Sequence, residues 1–175
     1  MRHTPFVLTL AVAVSIWTPA SAQDYATYCL PQAQLVLSGV ELGTDSVTVR
    51  ARLGTPLREV PDTSEDDGGA YPVRRLFYPR LELAIGRNKV ELLSTTEPGL
   101  SLPSGIRVGM TIGEVGRRLG LESPAQYLRG DTLAPIACDG GRHSPGLAGL
   151  SLVFGPAPRP AARRLAKILL IEFGP

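Results

Sequence analysis

The sequence predicts an α+β protein built from two tandem units, each a short helix packed on a small antiparallel sheet. Three observations carry this expectation. A 17-residue pattern recurs at an offset of 66 residues. Both copies hold helix start and stop signals. Both are followed by segments that alternate apolar and polar residues with the period of a strand.

The repeat pairs Ser38-Gly39-Val40-Glu41-Leu42-Gly43 with Ser104-Gly105-Ile106-Arg107-Val108-Gly109, and Val49, Arg52, Leu53, Gly54 with Val115, Arg118, Leu119, Gly120. Seven of the 17 positions are identical. In the first copy Asp45 is placed to cap a helix, Val49 and Leu53 share one face, and Gly54 supplies the stop. Pro56 then prevents continuation. In the second copy Thr111 and Glu114 form a capping box, Val115 and Leu119 share a face, and Gly120 ends the helix. Helices this short are marginal alone and must pack on something.

Strand pairs supply that support. Leu81, Leu83 and Ile85 alternate with Glu82 and Ala84, a turn follows at Gly86-Arg87-Asn88, and residues 89–93 return. Leu150, Leu152 and Phe154 match the first strand at an offset of 69, and residues 167–171 return after a Pro- and Arg-rich link. The run Ile168-Leu169-Leu170-Ile171 is apolar on both faces, which places it centrally in a sheet or under the partner half. Leu76-Phe77-Tyr78 adds a further strand before Pro79. The units divide as 35–99 and 100–175, with a boundary near Pro98 to Pro103.

Residues 1–22 read as a signal peptide: Arg2 and His3, an apolar run from Phe6 to Trp17, then a small-residue site ending at Ala22. The run is 12 residues long. A membrane-spanning helix needs roughly 20, so no transmembrane anchor is expected. Cleavage near Ala22-Gln23 would leave a periplasmic or secreted protein with an N-terminal segment at 23–34. In an oxidising compartment Cys29 and Cys138, the only cysteines, are expected to form a disulfide.

The formal net charge of +2 gives no basic footprint for nucleic acid. Gly 19 and Pro 16 in 175 residues indicate many turns rather than disorder. No Gly-rich phosphate loop is present, so no cofactor is expected. The run Asp62, Glu65, Asp66, Asp67 reads as a solvated acidic loop, because its glycines fall out of place for a calcium loop. His143, between Asp139 and Ser144 in a Gly-rich stretch, is the best candidate for a small periplasmic hydrolase. Adjacent residues, however, do not readily aim at one another as a triad must. Arg159, Arg163 and Arg164 suit an acidic partner through their forked geometry. Tyr71, Tyr78 and Tyr127 are candidates for a protein-contacting face.

The stretch Gly109-Met110-Thr111, Val115, Leu119-Gly120 resembles the signature of the SmpA/OmlA (BamE-like) domain, and the first copy keeps Gly43, Val49, Leu53, Gly54 and Pro56 of it. The doubled order also resembles the broader β-lactamase inhibitory protein-like superfamily. That resemblance implies two helix-on-sheet domains and raises a secreted inhibitor of a specific enzyme as an alternative role. Family members with a single unit are lipid-anchored, whereas Gln23 stands here where a lipidated cysteine would be. With a duplicated structural motif and no coherent catalytic set, the sequence predicts a non-catalytic, exported protein-interaction module of the cell envelope. Its expected partner is another envelope or secreted protein.

Overall fold

A computed structural model describes residues 29–133, 136–137 and 148–172. The chain begins with β1 (Cys29–Leu30), a 3-10 turn (Gln32–Gln34), and the short pair β2 (Val36–Leu37) and β3 (Val40–Glu41). Helix α1 (Ser46–Leu53) leads into β4 (Arg58–Asp66), β5 (Gly69–Phe77), β6 (Glu82–Gly86) and β7 (Lys89–Thr95). Helix α2 (Ile112–Leu119) and a 3-10 turn (Pro124–Tyr127) follow. Then come β8 (Thr132–Leu133), β9 (Ile136–Ala137), β10 (Ala148–Phe154), a 3-10 turn (Pro160–Ala162) and β11 (Leu165–Glu172).

These strands correct the expected architecture. One nine-stranded sheet runs in the order β1–β9–β10–β11–β7–β6–β5–β4, with β8 also pairing with β10; β2 and β3 form a separate two-stranded sheet. The β1–β9 pair is parallel and the other pairs are antiparallel. The two halves are therefore not tandem helix-on-sheet units. Their last strands are hydrogen-bonded neighbours, with Leu93 opposite Leu170 and Thr95 opposite Ile168. The physical reason lies in β11: a strand apolar on both faces leaves a costly unpaired edge unless a second strand flanks it. Strand β7 is that flank.

The duplicated turn-and-helix segments form as their caps dictate. The Asp45 side chain accepts from Val47 N and Thr48 N at the start of α1. Thr111 and Glu114 make the reciprocal capping box of α2. Each segment docks on the first residues of its half's last strand by equivalent bonds. Gly43 N donates to Val90 O and Val90 N to Thr44 O, while Gly109 N donates to Leu165 O and Leu165 N to Met110 O. Gly43 and Gly109 hold φ of 78° and 92°. A side chain is strained in that region, so glycine is what lets the turn bring its amide onto the strand.

The core occupies one side of the sheet. Val49 of α1 and Val115 of α2 are fully buried with Leu83, Leu93, Ile168, Leu170, Leu150 and Leu152 in a single cluster. Residues 62–66, expected in a loop, belong to β4; only the turn at Asp67 and Gly68 is loop. Two prolines disguised this hairpin. Pro61 lies on the edge strand, paired on one flank only. Pro72 lies beyond the end of β6, whose last pair is Gly86 with Val73. Neither position needs a second ladder amide, so both tolerate proline.

Candidate protein-interaction face

The register that sends Leu83, Leu93 and Leu170 to the core sends their neighbours to the opposite face. Across the sheet this face carries Phe77, Glu82, Ser94 and Leu169 in one row. Arg75, Ala84, Leu92 and Ile171 form the next. None of its apolar members joins the core cluster. Among the described residues both helices lie on the other side. The face has two halves: Leu92, Leu169, Ile171 and Val153 give a partly exposed apolar strip on β7, β11 and β10, and β4 and β5 give a charged one.

The charged half is internally braced. Arg75 donates Nη1 to Glu82 Oε1 at 2.7 Å and Nε to Asp62 Oδ2. Arg58 lies 4.1 Å from the centre of the Phe77 ring, and Arg87 lies 4.0 Å from that of Tyr71 while pairing with Asp66. The Tyr71 hydroxyl donates to Glu91 Oε2 at 2.9 Å. On the helix side Glu59 accepts from Arg50 at 2.7 Å and Arg74 at 3.0 Å. Such exposed pairs add little stability. What they do is hold long side chains in one arrangement.

The same contacts set the titration. The hydrogen bond from Arg75 holds the Asp62 carboxyl below the usual carboxylate range. Arg87 does the same for Asp66, and Arg50 for Glu59. A carboxyl whose pKa is depressed on folding stabilises the fold above its unfolded value, near 4, and loses that contribution as pH falls through the folded value. Amide exchange in β4 and β5, corrected for intrinsic rates, should therefore keep its protection from pH 8 to 5. It should lose protection only below about pH 4. Loss already between pH 7 and 5 would contradict this assignment.

The predicted contact residues do not converge. Tyr71 belongs to the braced half. Tyr78 lies at the far end of β5, packs on the core and donates to Gly54 O at 3.3 Å; burial raises its pKa. Tyr127 sits beside α2 and also packs on the core. Arg163 and Arg164 donate to the carbonyls of Gly130 and Gly109, at 2.5 and 2.9 Å, and so serve the fold. Arg159 is exposed before the 3-10 turn. Cys138, with its expected bond to Cys29, and His143, Asp139 and Ser144 lie outside the described residues. Sequence reasoning missed Arg58, Asp62, Arg75 and Arg87 as one surface. Their signal is the two-residue spacing of Arg58, Val60, Asp62, Ser64 and Asp66.

No family model matches the chain, and no curated protein matches it. Among solved structures it is similar to an extracellular protein containing a SCP domain from Bacillus anthracis str. Ames, at 13% identity and a TM-score of 0.46, covering 75% of this chain and 44% of that one. It is similar to a cysteine-rich secretory protein from Staphylococcus aureus subsp. aureus Mu50, at 12% identity and 0.49, covering 83% and 48%. It is similar to the uncharacterized protein yfeY from Escherichia coli, at 10% identity and 0.44, covering 80% and 94%. The chain spans less than half the length of the first two. The expectation of tandem SmpA/OmlA (BamE-like) domains, within the β-lactamase inhibitory protein-like superfamily, is overturned: no such model matches, and the halves share one sheet. Among the described residues no helix is long and apolar enough to cross a membrane.

Proposed function

We propose that this chain is an exported, non-catalytic protein-interaction module of the cell envelope, and that the open face of its sheet is the binding surface. The observation that carries this is the face itself. An apolar strip of Leu92, Leu169, Ile171 and Val153 adjoins braced charges at Arg58, Arg75 and Asp62, with both helices on the other side. An apolar centre beside a charged margin is the anatomy of a protein interface. The apolar run before Ala22 supports export, and an exported form should begin at Gln23.

A photo-reactive amino acid placed in intact cells at Val153 or Leu169 should give a defined adduct with another protein. The same group at Arg117, on the exposed side of α2, should give none. Equal adducts at all three positions, or none at Val153 and Leu169, would remove the assignment.

A further inference from the structure

The large sheet ends on β1, two residues long, at one side and on β4, nine residues long, at the other. A long strand with a free flank is a template for another strand, and a second copy of the chain is always at hand to supply one. Backbone groups of an antiparallel strand point alternately to its two flanks. Proline has no N–H, so Pro61 belongs to the set that points away from β5. Counting by two from it, Glu59, Pro61, Thr63 and Glu65 present their backbone groups to the free flank. Pro72, opposite Thr63, fits the same phase, because its nitrogen then points away from β4.

Two of those four donors are withdrawn. Pro61 has none, and Thr63 N donates to Asp62 Oδ1 at 2.9 Å. The other oxygen of that carboxylate, Oδ2, accepts from Arg75 Nε, while Arg75 Nη1 donates to Glu82 Oε1 at 2.7 Å. A chain of bonds from β6 through β5 thus fixes the carboxylate that occupies the Thr63 amide. The donors left, on Glu59 and Glu65, stand about 20 Å apart along the strand.

A second copy meets this edge where it is most obstructed. Two β4 strands paired antiparallel over their full length centre on Asp62, the middle of Arg58–Asp66. Pro61 of each strand then faces Thr63 of the other, so the two central rungs have no free N–H from either strand. Asp62 faces its own copy, and like charges directly opposite are destabilising. Toward the ends the obstruction fades. Glu59 faces Glu65, but its charge is already met by Arg50 and Arg74, and Arg58 faces Asp66.

We propose that Pro61 and Asp62 close the β4 edge against a second copy of this chain. This closure goes beyond the binding-face reading and does not depend on it. Its effect is to confine association to surfaces other than the edge.

Pro61→Val combined with Asp62→Ala restores a donor at 61, frees the one at 63 and removes the facing charges. A two-fold pairing uses up both edges, so it stops at two copies. In sedimentation velocity the double variant should therefore show twice the mass of the unchanged chain. Adding Thr63→Pro should return it to the original mass, because a proline at that outward position takes the donor away again. In the unchanged chain, the Thr63 amide proton should titrate with the Asp62 carboxylate. It should move upfield as that carboxyl protonates, with a midpoint below the usual aspartate value near 4. A folded double variant of unchanged mass, or a doubled mass that Thr63→Pro leaves in place, would overturn the closure. So would a Thr63 amide that ignores the Asp62 titration, a result that decides the matter even if the double variant does not fold.

Discussion

Replacing Leu93 with alanine should destabilise the entire chain by about 2–5 kcal/mol, in a single unfolding transition. Leu93 is fully buried and stands between Leu83 on β6 and Leu170 on β11, both fully buried as well. Truncation removes the apolar contacts and leaves a cavity that neighbours on two strands cannot both fill. The position is the join between the two halves of the sequence. If each half folded as its own unit, the loss would unfold one and spare the other. Chemical denaturation followed by circular dichroism and by an amide probe in each half decides this. Coincident transitions displaced together fit the single sheet, and separate transitions do not.

Gly116→Ala should also destabilise, by about 1–3 kcal/mol, although alanine is the better helix former by about 1 kcal/mol. Gly116 is buried in α2, and an added Cβ would stand 2.4 Å from Cγ and 2.7 Å from Cβ of Pro124. The ring of Pro124 belongs to the 3-10 turn that follows α2 and cannot swing aside as a long side chain would. The helix or the turn must move. Gly113, three residues earlier on the same helix, is the control: nothing lies within 4 Å of where an added Cβ would stand. Gly113→Ala should stabilise by about 0.5–1 kcal/mol. Thermal melts of the two variants should therefore shift in opposite directions. Shifts of the same sign would show that α2 and the Pro124 turn are not in close contact.

Local signals were legible where physics acts locally. The caps at Asp45 and Thr111 and the stops at Gly54 and Gly120 bound both helices as expected, because capping depends on a few adjacent residues. The strands at 82–86 and 148–154 were visible in their alternation, and those at 89–95 and 165–172 as apolar returns after a turn and a link. The pairing of β7 with β11 was not, because nothing in either strand names its neighbour: 69 residues separate Lys89–Thr95 from Leu165–Glu172 at the least. The β4–β5 hairpin was hidden for another reason. Its prolines and acids are the composition of a loop, and they are tolerated here because Pro61 lies on the edge strand and Pro72 beyond the end of β6. With that hairpin went the candidate site. Arg75 and Asp62 are 13 residues apart, and only the register of β4 on β5 brings them together. Arg163 and Arg164 each give one donor, Nη1, to the backbone carbonyl of a turn, a role that their sequence neighbours do not announce.

The open face exists only if β7 and β11 are neighbours, since that seam makes one continuous surface from two halves. Cross-strand nuclear Overhauser effects between residues 92–95 and 168–171 test the seam directly. Contacts should join Leu93 to Leu170 and Thr95 to Ile168. Contacts confined to the hairpins 82–95 and 148–172, with none across the seam, would contradict it.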